Sequence, residues 1–138
     1  AALLRDLTAR LHGAGVTGRG VIGPTWGAAH AVARFRADQT LIADDGVDSA
    51  LAPLPLEALR LPADLTASLR RMGFERIADI AHRPRAPLQL RFGAMLGRRL
   101  DQAYGRAAEP LVPVEAPETP RVERIFAEPI GAAADRQD

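Results

Sequence analysis

The chain has 138 residues, with 18 basic side chains, 17 acidic ones and no cysteine, for a net charge of +1. Disulfides and thiolate metal sites are therefore excluded, and with aromatics at only 4% the core must be aliphatic. No apolar run approaches the ~20 residues of a membrane span and no charged-then-apolar leader opens the sequence, so a cytoplasmic protein without membrane contact is expected.

Every basic residue is arginine, and the chain opens on Ala1, which leads us to expect an internal piece of a longer protein. The near-neutral total hides segregation. Residues 1–36 carry a net +4, 37–59 a net −5, 60–106 a net +6, and 107–120 carry three glutamates without a base. Only the block from 60 to 106 is basic enough to suggest a polyanionic partner.

In chain order, Leu3, Leu4, Leu7 and Leu11 line one face of a helix over residues 2–14, closed by Gly13 and Gly15. Gly18–Gly23 is a short strand ended by Pro24, Thr25 caps an alanine-rich helix through Phe35, and Thr40–Ala43 is a second short strand. After three prolines at 53, 55 and 62, four short helices follow: 63–72, 76–82, 87–92 and 94–104. Gly73, Arg83-Pro84, Gly93 and Gly105 stop them in turn. Four prolines at 110, 113, 117 and 120 read as an extended linker, and residues 121–126 (RVERIF) alternate like a strand. The expected fold is α+β and mostly helical, with helix-strand-helix-strand at 1–49, a small helical domain at 50–108, a linker at 109–120 and a further module from 121.

Few residues suit catalysis. His12, His30 and His82 lack metal-ligand spacing, and the Asp44-Asp45 pair sits in an acidic loop that reads as a solvated turn. Gly18, Gly20 and Gly23 spell G-x-G-x-x-G, but inside the strand and with no strand before them, which argues against dinucleotide binding. Residues 56–81 are more specific. Short helices around a proline turn have helix-hairpin-helix spacing, a unit that grips a nucleic-acid strand through backbone N–H groups; a plain helical bundle with an arginine-rich wet face fits equally well. The candidate DNA-binding residues are Arg60, Ala63, Arg70, Arg71, Arg76, Gly93 and Arg98.

The run from PLPLEALRLP through LRRMGFERIADIAHRP and RFGAMLGRRLDQAYGRAAEPL to FAEPI resembles the thumb of Y-family DNA polymerases of the UmuC/DinB-like group. TGRGVIGPTWGAAHAVARF resembles the end of that family's palm, and RVERIFAEPI the start of its little finger. The likeness is greatest to a non-catalytic mutagenesis branch. It implies a role in DNA damage tolerance, DNA repair and error-prone translesion synthesis, with primer-template DNA, a sliding clamp and a partner polymerase as partners. The family's Mg²⁺-binding carboxylates precede Ala1, so no cofactor or catalytic residue is expected in this chain. Positions that carry basic residues toward the triphosphate in active relatives are matched here to Ala28 and Val32, and the first thumb hairpin presents Pro62 and Asp64 where relatives have glycine. These departures imply an adaptor and a phosphate clamp that has been lost, so that Asp64→Asn is expected to leave DNA affinity unchanged. An active Mg²⁺-dependent polymerase parent and a helical interaction module without DNA binding are the two other readings.

Overall fold

The computed structural model describes residues 2–115. It contains α1 (Ala2–Gly13), α2 (Trp26–Phe35), α3 (Val47–Leu51), α4 (Ala63–Arg71), α5 (Ala78–Ala81), α6 (Arg85–Phe92) and α7 (Ala94–Ala103). Two 3-10 turns lie at Asp44–Gly46 and Leu56–Leu59.

The α2 helix is the hub. Its face of small residues (Gly27, Ala28, Ala31 and Val32) is buried and lets α3, the Leu56–Leu59 turn and α7 come close. At Gly27 a Cβ would stand 3.1 Å from the Cα of Ala103, so any side chain there would have to push the α7 backbone back by a few tenths of an ångström. Thr25 caps the helix: its Oγ1 accepts from the Ala28 N–H at 3.0 Å and donates to the Ala103 carbonyl at 2.8 Å. One side chain thus starts α2 and ties it to the end of α7.

From this hub a single aliphatic core runs between Ala28 and Ala103. Leu51, Leu56, Leu69, Ile77, Ile80, Leu96 and Leu100 are its largest fully buried members. Each contributes roughly 1.5–3 kcal/mol of transfer free energy. The α6 and α7 helices pack on one another across Gly93, whose φ of +82° reverses the chain in one residue where a Cβ would be strained. Among the described residues no helix is long and apolar enough to cross a membrane.

The mostly helical α+β expectation holds, with corrections in detail. The two expected strands contract to one parallel bridge, Ile22 to Leu41, with N–H···O bonds from Ile22 to Thr40 and from Ile42 to Ile22. Three glycines in six residues weaken the first strand, and two bonds are too few to propagate a ladder. The α1 helix forms, but Leu3 and Leu7 remain exposed while Leu4 packs toward Gly20. The α5 helix is shorter than expected because the Asp79 carboxylate takes the N–H groups of Glu75 and Arg76, and α6 begins at Arg85, two residues early, with Pro87 inside its first turn. The expected linker begins with an anchored residue, Glu109, and residues 110–115 carry no helix or strand. The RVERIF strand and the rest of the expected little-finger start lie outside the described residues.

Candidate nucleic-acid interface

The basic block delivers its arginines to different fates, decided by the partners the fold provides. Arg60 follows the Leu56–Leu59 turn with φ +57° and lies only 21% exposed, bonded to Glu109 at 2.8 Å and stacked 4.2 Å over the Trp26 ring. Its guanidinium is held by Glu109 and is not displayed on the surface as expected of a phosphate ligand. Arg70 pairs with Glu57 at 2.7 Å, half in solvent, where such a pair is worth under about 1 kcal/mol and leaves the guanidinium able to exchange partners. Arg76 is exposed; its N–H donates to Asp79 Oδ2 at 2.8 Å, and this bond with that from Glu75 holds the Asp79 carboxyl below its ordinary range. Arg98 is exposed on α7.

Arg71 lines a cleft, and Ala63 and Gly93 are sequence neighbours of residues in its walls. The cleft, of about 550 Å³, opens between α4 and the α6–α7 turn. Pro62, Asp64, Leu65, Ser68, Arg71 and Met72 form one wall, and Arg91, Phe92 and Met95 the other. Ala63 is the first residue of α4 and Gly93 the N-cap of α7, and Asp64, Leu65 and Met95 bring the first turns of both helices, with N–H groups unused inside the helix, to the cleft. Arg71 donates to Ser68 Oγ at 2.8 Å, and the Arg91 guanidinium lies 5.9 Å from the Phe92 ring centre; neither has a carboxylate partner among the described residues. Leu65, Met72, Phe92 and Met95 give the cleft an apolar share of its lining beside the charged side chains. Arg91, Ser68 and the two methionines were not among the expected site residues. The signal for Arg91 was its place two residues before Gly93.

A second stripe runs along α2, with Trp26 and Arg34 exposed and His30 half-buried between them. Trp26, His30 and Arg34 follow the i, i+4 spacing of one face, with the Trp26 and His30 rings stacked at 5.0 Å. Burial, then the Arg60 and Arg34 charges, lower the His30 pKa and favour the neutral imidazole. Ala28 and Val32, matched above to triphosphate-facing positions, are instead fully buried. Side chains at those two positions point into the core and are not open to a ligand.

Among the described residues no group of three or more His, Asp or Glu is placed to hold a metal ion.

No family profile and no solved structure matches the chain. It is 43% identical over 136 residues to Protein ImuB of Caulobacter vibrioides strain NA1000 / CB15N, and equally to Protein ImuB of strain ATCC 19089 / CIP 103742 / CB 15 of that species. Each alignment covers 98% of this chain but 30% of the relative, so the chain spans less than a third of the proteins it matches. Over nearly its whole length the sequence is thus ImuB-like.

Proposed function

We propose that this chain is the DNA-gripping part of an ImuB-like protein acting in DNA damage tolerance and error-prone translesion synthesis. It serves as a non-catalytic adaptor that holds primer-template DNA without reading its sequence, while a sliding clamp and a partner polymerase engage the longer protein. Mg²⁺ enters this picture only if the parent is itself an active polymerase.

The observation that carries the reading is the cleft, where two helix starts and the guanidinium groups of Arg71 and Arg91 converge. Backbone N–H groups at a helix start and arginine side chains are the two commonest holders of a phosphate backbone, and neither distinguishes one base from another. Arg70, Arg76 and Arg98 extend the basic surface beyond the cleft as a diffuse attraction, in keeping with the helix-hairpin-helix spacing of the sequence.

The experiment is fluorescence anisotropy of a labelled primer-template duplex from low to high salt. Weak binding is expected, equal for unrelated sequences, with an affinity that falls by a log–log slope of about 0.9 per phosphate neutralised. Arg71→Ala and Arg91→Ala should each flatten that slope by about one. Salt-independent binding, or none at the lowest salt, removes the DNA reading and leaves a protein-interaction module.

A further inference from the structure

The segment after α7 turns back on that helix. The N–H groups of Arg106 and Ala107 both donate to the Asp101 carbonyl, and Gln102 Nε2 reaches the Ala108 carbonyl at 3.4 Å. This delivers Glu109 between three elements. Its carboxylate takes bonds from Arg60 Nη2 at 2.8 and 3.0 Å and from Arg99 Nη1 at 3.0 Å. With 12% of its side chain exposed, it is the most buried carboxylate in any ion pair among the described residues. Its Oε2 also lies 3.3 Å from the point where a Cβ on Gly27 would stand, which sets the charge against the first turn of α2. That is the end of a helix dipole that favours an anion.

Two guanidiniums, a helix start with glycine at its second position, and the Trp26 ring under Arg60 together make an oxyanion receptor that is filled from within the chain. Arg60 is fixed in a left-handed conformation that non-glycine residues avoid, a sign that its surroundings over-determine it. Its Nε is buried without a partner, one donor more than a carboxylate in this position satisfies. We propose that Glu109 is an internal stand-in for a phosphate group, and that the Arg60–Arg99–α2 pocket takes phosphate oxygens when Glu109 leaves it. A free or terminal phosphate carries more charge and one more acceptor oxygen than carboxylate and uses these donors better, whereas a backbone phosphodiester matches the carboxylate in both and competes on equal terms. A cavity of about 420 Å³ lined in part by Thr25, Trp26 and Glu109 borders the carboxylate that a phosphate would replace. Departure of Glu109 also unties the chain from α2 and the Leu56–Leu59 turn, so occupancy of the pocket is coupled to the path of the segment that follows. None of these residues lines the α4–α7 cleft, and the inference does not depend on that cleft binding DNA.

The chain has one tryptophan, which makes Trp26 a private reporter. The indole N–H resonance is followed by NMR during titration with inorganic pyrophosphate and, in a second arm, with a short single-stranded oligonucleotide lacking terminal phosphates. A shift with pyrophosphate alone identifies a free phosphate ligand, and a shift with the oligonucleotide identifies a backbone phosphodiester. Because a tethered carboxylate competes at an effective concentration in the millimolar range, Glu109→Gln should lower the midpoint by about tenfold or more. Adding Arg99→Ala to that variant should cancel the gain. The proposal is overturned if Glu109→Gln titrates no more tightly than the wild type, or if its gain survives Arg99→Ala. Should Glu109→Gln fail to fold, the wild-type chain decides: an indole resonance unmoved by both ligands overturns it.

Discussion

Replacement of Leu69 by alanine tests the packing on which the whole helical region rests. Leu69 is fully buried on α4, in the core it shares with Leu56, Ile77 and Ile80. The substitution removes three carbons, about 2.4 kcal/mol of transfer free energy at ~0.8 kcal/mol each. The hole that remains adds to this, because the Leu69 carbonyl stays bonded to the N–H groups of Met72 and Phe74 and holds the α4 terminus where it is. A loss of about 3 kcal/mol is expected, within the range of buried leucine truncations. In urea denaturation followed by far-ultraviolet circular dichroism, an m-value near 1.5 kcal/mol/M makes that a fall in midpoint of about 2 M at constant m. Leu90, 92% exposed on α6, is the matched control, and Leu90→Ala should cost under about 0.5 kcal/mol. Equal losses from the two substitutions, or a loss below about 1 kcal/mol at Leu69, would refute the packing.

Gly27→Ala places a methyl group against the Ala103 backbone at 3.1 Å and should destabilise by about 1–3 kcal/mol in the same assay, whereas relief of helical glycine alone predicts a gain. Tyr104, the only tyrosine, has its phenol pushed up to about 12 by burial first and then by the Asp48 carboxylate, which accepts its O–H at 3.3 Å. Its folded pKa lies above the unfolded value of about 10, so its share of stability is complete below pH 10 and is lost as the pH rises toward 12. Ultraviolet titration of the folded chain should place the phenol near 12, and Tyr104→Phe should remove this part of the alkaline loss.

What the sequence revealed and what it concealed divide along a physical line. The Thr25 cap, the stop at Gly73 and the turn at Gly93 depend on a few neighbouring residues and were legible. On α4, Leu65 is only half-buried while Thr66 and Leu69 are buried. The expected strands failed because pairing needs a continuous partner, which a local pattern does not report. Arg60 was misplaced for the same reason: its partner Glu109 is 49 residues away, and nothing near Arg60 announces a buried carboxylate. Net charge counted arginines correctly but not which were already taken. Of the expected site residues only Arg71 lines the cleft, and joining its two walls required the tertiary structure.

Asp64 is where the structure changes the expectation most directly. With no glycine in the Leu61–Asp64 turn, the sequence suggested that phosphate no longer approaches and that removing the Asp64 charge would not matter. The fold places Asp64 on the wall of the cleft that also holds Arg71 and Arg91, so a backbone phosphate drawn in by those arginines meets its carboxylate. Asp64→Asn should therefore tighten primer-template binding, by a few-fold at low salt and less as salt shortens the Debye length toward ~8 Å. The same carboxylate stands in the first turn of α4 and favours its dipole, so the variant should lose about 0.3–1 kcal/mol of stability while it gains affinity. The two readouts moving in opposite directions is the signature sought, because a general loosening of the fold would lower both. Unchanged affinity at low salt, with Arg71→Ala still weakening binding, would place the DNA on the arginines outside the cleft and retire this face as the grip.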